Sequence, residues 1–408
     1  MSFQRIVVVG LILLVASAGW FVLGMTTEKR STDSSSRLGE AVQALWGAPL
    51  VQQAPSFGVE IPGANRVRWL MPAENKLSVA LQTDYRRKGL IWYPTYTADF
   101  DGSYTLTNTE DVAQKVRLHF DFPAKNGTYD RFTATLDGKK LLSPVNTAEG
   151  LNEMVELAPG MSTRFHVTYR ARGMAAWRYG FDPQVGRVQN LDLSVKTNFE
   201  AVDYPEGCLS PMSAQAAPEG GVMLAWQASD LITREGIGVI IPEKLNPGPL
   251  TSRITYFAPV CLIFFFVLVG TINIIYKVDI HPMHYLFVAA GFFAFHLLLA
   301  YMAGLILIHV AFLISAVVSV GLVTTYLSAA LRGQFPWKVA AAGQVFFLVL
   351  FSYSFFLKGI TGLTVAIGSV VTLAVLMRVT AHVDWNEVFA KKPALPVAVP
   401  APPPLPQV

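Results

Sequence analysis

Two kinds of pattern divide this chain. Residues 6–25, IVVVGLILLVASAGWFVLGM, form an uncharged run of about the length a helix needs to cross roughly 30 Å of hydrocarbon. A second run, 254–276, ITYFAPVCLIFFFVLVGTINIIY, predicts another span, with Pro259 placed to kink it near one end. From Tyr285 to Leu331 there is no Asp, Glu, Lys or Arg. At 1.5 Å per residue that stretch is about twice the hydrocarbon thickness, so it predicts two helices with a tight turn around Gly304. Between Val339 and Met377 only Lys358-Gly359 interrupts the apolar pattern, which predicts two more spans and a total of six. The rival for the first run is a cleaved signal peptide, since Ala16-Ser17-Ala18 mimics a cleavage site. The run continues through Trp20, Phe21, Val22 and Leu23, and we read it as an uncleaved anchor.

Between the first two spans the period changes. STDSSSRLGEAVQALWG offers a serine cluster suited to capping, then Leu38, Val42, Leu45 and Trp46 at helical spacing, which predicts an amphipathic linker helix within 26–50. Residues 51–252 alternate with period two. Tyr104 and Leu106, Val116 through Phe122, Phe132 through Leu136, Phe165 through Tyr169, and Leu191 through Val195 mark half-buried strands separated by Asp-Gly, Asn-Gly and Pro-Gly turns. The expected architecture is a mixed membrane protein. It combines an all-α transmembrane bundle of six helices, one anchor plus five at 253–380, with an exported antiparallel β-sandwich at 51–252.

Charge then fixes an expected orientation. Arg5, Lys277, Arg332 with Lys338, and Arg378 with Lys391 and Lys392 fall on one side of the six crossings, leaving Lys358 in the opposite short loops. That bias predicts cytoplasmic termini (1–5 and 381–408) and a large domain on the far side of the membrane. The net charge of +4 comes from scattered Lys and Arg, densest in RVR and RRK, which does not describe a nucleic-acid surface. Cys208 lies in the charged half and Cys261 in an apolar run, so no disulfide is expected.

Candidate chemistry is sparse. KVDIHPMHYLF (277–287) sets Asp279, His281 and His284 in a short loop, with Pro282 suited to a helix's first turn and Asp279 or His281 to its cap. The same residues, joined by His382 and Asp384 from beyond the last span, would make a metal-ligating set. No cofactor is otherwise implied. Within the spans, Asn273, His296, His309 and Gln344, with Ser315, Ser319 and Ser352, are the polar candidates for hydrogen bonding between helices or for a path across the membrane. In the β region His119 and His166 take the strand phase opposite to their apolar neighbours and are expected at the surface. Asp99, Asp101, Glu110 and Asp111 are read as turn carboxylates too few for calcium. The segment IWYPTYTADF (91–100) reads as core aromatics or as a binding surface.

From Arg253 to Trp385 the chain resembles the CreD family of inner-membrane proteins, often labelled cell envelope integrity proteins. The resemblance rests on IHPMHYLFVAAGFFAFHLLLAYMAG, TTYLSAALRG and MRVTAHVDW, which place His281, Pro282, Tyr285, Tyr326, Leu327, Arg378, Val383, Asp384 and Trp385 on the family's motifs. A weaker similarity is WGAPLVQQAPSF at 46–57. The resemblance implies an envelope or stress-response role without a catalytic set. Expected partners are the bilayer, an envelope protein or polymer met through the exported domain, and a second copy of the chain. A permease or an accessory subunit of one, and a membrane metalloenzyme, are the alternatives. The tail, NEVFAKKPALPVAVPAPPPLPQV, is expected to be an extended proline-rich segment.

Overall fold

In the computed structural model the first apolar run is helical, and the helix does not stop where the run does. The structure describes residues 3–61, 66–276, 278, 280–331, 336–357, 359–381 and 383. Helix α1 spans Phe3–Trp46 without a break, so the expected linker helix is the continuation of the anchor. Residues 26–46 hold no proline and a single glycine, Gly39, so nothing forces a break even though Ser, Thr and Asp at 31–36 are weak helix formers. The helix ends at Gly47, whose φ is +146° and where a Cβ would lie 2.2 Å from the Arg172 carbonyl oxygen.

The remaining helices follow the predicted order. They are α2, Pro247–Tyr276, with Pro259 inside it; α3, Pro282–Met302; α4, Ile308–Ala330; α5, Trp337–Phe356; and α6, Thr361–Thr380. Gly304 (φ +91°) lies between α3 and α4, and Gly359 (φ +82°) between α5 and α6, conformations that glycine adopts without strain. All six helices are long and apolar enough to cross a membrane. The fifth is not uniform: Val345–Leu350 is π-helical and Ser354–Phe356 is a 3₁₀ turn.

The chain divides into two units, residues 33–246 and residues 1–32 with 247–408. In the helical unit, Phe265, Phe292, Phe295, Leu262 and Leu348 are fully buried among side chains from α2, α3 and α5. Helix α6 contributes one buried residue, Thr372, and leaves its Leu, Ile and Val side chains outward-facing, the arrangement expected of a lipid-exposed helix.

In the β unit, strand alternation is as the sequence predicts. Leu77, Val79, Leu81, Phe100, Tyr104, Leu118, Phe120, Phe165, Val167, Leu193 and Val195 form one core. The strands make an eight-stranded sheet in the order Lys139–Lys140, Tyr129–Leu136, Ser162–Met174, Thr95–Thr107, Glu74–Thr83, Arg187–Thr197, Val222–Ile232, Ser213–Ala216. A four-stranded sheet (Leu151–Leu157, Gln114–Phe120, Ser56–Glu60, Val67–Leu70) and a three-stranded one (Leu50–Gln53, Ala176–Gly180, Ile237–Ile240) share that core. The pairing corrects the purely antiparallel expectation. Leu191–Thr197 runs parallel to Asn75–Leu81, and Leu50–Gln53 parallel to Trp177–Gly180. Both pairs join segments far apart in sequence, as parallel pairing requires, since no short turn can connect such strands.

Candidate functional site

The loop before α3 is held by its own histidines. His281 is the N-cap of α3: its Nδ1 accepts from the Met283 amide at 3.3 Å, and Pro282 takes the first helical position. One orphan donor of the helix start is thereby satisfied. One turn on, His284 Nδ1 lies 2.9 Å from the Tyr326 hydroxyl of α4, and the Phe287 ring packs on Tyr326 at 5.0 Å between centroids. Tyr285 is buried with its ring perpendicular to Phe266 of α2 at 5.0 Å, and Leu327 is fully buried. The motif residues His281, Pro282, Tyr285, Tyr326 and Leu327 thus meet at one corner of α2, α3 and α4. Arg378 is exposed in the last turn of α6. Asp279, His382, Asp384 and Trp385 lie outside the described residues, and with them most of the proposed histidine–aspartate metal set. Among the described residues no group of three His, Cys, Asp or Glu could hold a metal ion.

Deeper in the helical unit the polar candidates separate. Gln344 of α5, Ser319 of α4 and the Gly291 carbonyl of α3 form a connected trio. Gln344 Nε2 donates to Ser319 Oγ at 3.0 Å, and Ser319 Oγ donates to Gly291 O at 2.7 Å. A Cβ at Gly291 would stand 2.4 Å from the Val323 Cγ2 methyl, so this close approach of α3 and α4 would have to give. Ser315 instead bonds the Ala311 carbonyl of its own helix. His296, fully buried, places Nδ1 2.9 Å from the Phe292 carbonyl. Asn273 is half-buried in the last turn of α2. His309 departs from expectation: it is the second residue of α4, exposed, and packed on the Phe356 ring at 4.8 Å rather than set deep in the fourth span. After the turn at Gly304, α4 begins at Ile308, one residue before His309, so the histidine sits at the helix start. Among the described residues of this unit, Trp20 Nε1, Tyr285 Oη, His296 Nε2 and Gln344 Oε1 are buried without a hydrogen-bond partner, while Ser352 meets the Cys261 thiol. Trp20 was not a candidate from sequence, although it is the one tryptophan in the first apolar run.

In the β unit the surface histidines are each engaged by a neighbour. His119 lies 2.8 Å from Asn152 Oδ1 and 3.2 Å from Asp121, and His166 lies 2.9 Å from Asp101. Asp99 and Asp101 sit in the strand Thr95–Thr107, not in a turn. Asp99 binds Arg170 through two bonds of 2.6 and 2.8 Å, and Glu110 binds Arg68 at 2.6 Å. Of the aromatic segment, Tyr93, Tyr96 and Phe100 are core residues, so the packing reading holds for them.

The 46–57 segment also proves structural. Trp46 donates to the Tyr96 carbonyl at 3.3 Å and is flanked by the Arg86 and Arg172 guanidinium groups at 4.1 and 4.9 Å from its ring centroid. Gln52, fully buried, accepts from the Tyr169 hydroxyl at 2.6 Å and donates to the Asp121 carbonyl at 3.0 Å. A buried glutamine with all its groups engaged is a structural device, which sequence spacing alone did not reveal.

No curated protein matches the chain. Among solved structures, a crystal structure of a proposed nutrient-binding protein from Legionella pneumophila is similar at 10% identity, covering 54% of this chain and 77% of that one. Its TM-score of 0.29 is too low to imply a common fold. The family comparison starts upstream of the resemblance read from sequence and takes in the last strands of the β unit. Residues 214–386 are similar to the family model described as inner membrane protein CreD, and together with six helices of spanning length and composition among the described residues that match supports an integral membrane protein.

Proposed function

We propose that this chain is a non-enzymatic component of the bacterial envelope. In this reading it sits in the inner membrane with both termini cytoplasmic. The β unit stands on the periplasmic side and recognises an envelope protein or polymer, while the helices anchor it and relay its state to partners inside. The observation that carries the reading is the placement of all the strands, residues 50–240, between the first and second of six candidate spans among the described residues. If all six cross, the β unit and the His281 loop fall on opposite faces. The Lys and Arg bias at Arg5, Lys277, Arg332, Lys338 and Arg378 supports putting the His281 loop inside. Reporter fusions after residues 150 and 281 test the topology, and finding both in one compartment would sink it. Cross-linking of the intact protein in its native membrane tests the recognition role, which fails if no partner or polymer is captured through the β unit.

A permease, or an accessory subunit of one, is supported by a different observation, the buried and unpartnered Gln344 Oε1 and His296 Nε2. Of the sequence-predicted polar candidates, Gln344 and Ser319 are linked to each other, and Ser319 on to the Gly291 carbonyl. A water-filled path would make cysteines at Gln344 and Ser352 reactive to a membrane-impermeant thiol reagent, whereas protection at both favours the scaffold.

A further inference from the structure

We propose a water-sized polar site between Trp20 of α1 and His296 of α3 that latches the anchor helix to the rest of the helical unit. The proposal is independent of the function assigned above. In the apolar run of α1, Trp20 is the one fully buried large side chain. Its neighbour one turn on, Gly24, is also buried and packs so closely on Tyr256 that a Cβ would lie 2.7 Å from that ring. Trp20 is the fully buried side chain of this run that meets α3. Its ring stands edge-on to His296, at 5.6 Å between centroids and 75° between planes, and 5.9 Å from Phe293.

The hydrogen-bonding states of the two residues are complementary. His296 Nδ1 faces the Phe292 carbonyl at 2.9 Å. A carbonyl can only accept, so Nδ1 carries the proton and a neutral ring presents Nε2 as a bare acceptor. The indole Nε1 of Trp20 can only donate. Both Nε1 and Nε2 are sealed from solvent and neither has a partner, a costly condition in an apolar interior. They do not bond each other directly. One molecule that accepts from the indole and donates to the imidazole satisfies both. The surroundings include Phe292, Phe293 and Phe295, which exclude an ion on solvation grounds. A single water fits that chemistry. It would fix the rotation of α1 and make the anchor a member of the bundle, not a passive tether.

The test uses the full chain in lipid nanodiscs with its eight tryptophans labelled at the indole nitrogen, the Trp20 resonance being identified by Trp20→Phe. The expected result is a Trp20 indole proton shifted downfield, with a cross-peak to a slowly exchanging water. Both features should be lost in His296→Phe and kept in His296→Gln, which retains an acceptor. An upfield or unshifted wild-type resonance overturns the proposal, as does a downfield resonance without water contact, which would report a direct bond. Because the wild-type spectrum is decisive alone, misfolding of His296→Phe does not rescue the idea.

Discussion

Gln344 and Ser319 are joined side chain to side chain at 3.0 Å across α5 and α4, and the serine hydroxyl passes the bond on to Gly291 of α3 at 2.7 Å. Three helices are therefore tied by one short polar chain. Bonds of this kind contribute about 0.6 kcal/mol on average and up to about 1.7 kcal/mol in measured membrane helices. Ser319→Ala breaks both links and leaves the Gln344 amide unpaired, so we expect a loss of about 1–2 kcal/mol in detergent unfolding. Ser319→Thr, which keeps the hydroxyl, should lose less if the methyl is accommodated. Equal stability of Ser319→Ala and wild type would show that the trio does not hold the helices.

Gly47→Ala should be among the most damaging single-methyl changes in the chain. The residue has φ +146° and its Cβ would meet the Arg172 carbonyl at 2.2 Å. Strain and overpacking together predict a cost of roughly 2–4 kcal/mol, read as a lower midpoint for loss of near-ultraviolet dichroism. Gly138→Ala makes a control, since nothing lies within 4 Å of its Cβ although its φ is also positive. It should cost only the backbone strain.

Asp182 gives the β unit a pH signature. Burial pushes its carboxyl above the ordinary value, against the opposing pull of the Gln184 amide that its side chain accepts from at 2.9 Å. A raised folded-state value means the protonated form is favoured on folding. The associated stability is full below the unfolded value near 3.9 and is lost as pH rises through the folded value. Asp182→Asn, which can keep the Gln184 bond, should therefore be more stable than wild type at pH 7, with the advantage vanishing by about pH 3 to 4. A pH-independent difference would refute the burial argument.

Arg170 and Asp99 oppose each other in register and make two bonds, yet both side chains are 35% exposed. A double-mutant cycle with Arg170→Gln and Asp99→Asn should give a coupling of about 0.2–1 kcal/mol that shrinks in high salt.

His281→Ala separates capping from metal binding. Loss of the cap should cost about 0.5–2 kcal/mol with no change in metal content, because His281 is turned to the Met283 amide and His284 to Tyr326. Metal bound by wild type and lost from the variant would revive the metalloenzyme reading.

How much of this was written in the chain depends on the range of the force concerned. Lipid and water each impose a local rule. Six apolar runs had to become helices, and alternating residues such as Val116, Leu118 and Phe120 had to line one face of a strand, because burial there is decided by a residue's own neighbours. The glycine turns at 304 and 359 and the Pro282 start of α3 were legible for the same reason. What the sequence could not specify was any relation between distant segments. Parallel pairing of 75–81 with 191–197, the continuity of α1 to Trp46, the engagement of Gln52 by Tyr169, and the choice of Ser319 over Ser315 as partner to Gln344 depend on which faces meet. Trp20 and His296 lie far apart in the chain, and only packing reveals that one is a donor without an acceptor and the other an acceptor without a donor. Hydropathy measures transfer out of water one residue at a time, whereas hydrogen-bond satisfaction is a property of pairs, and pairs are made by the tertiary fold.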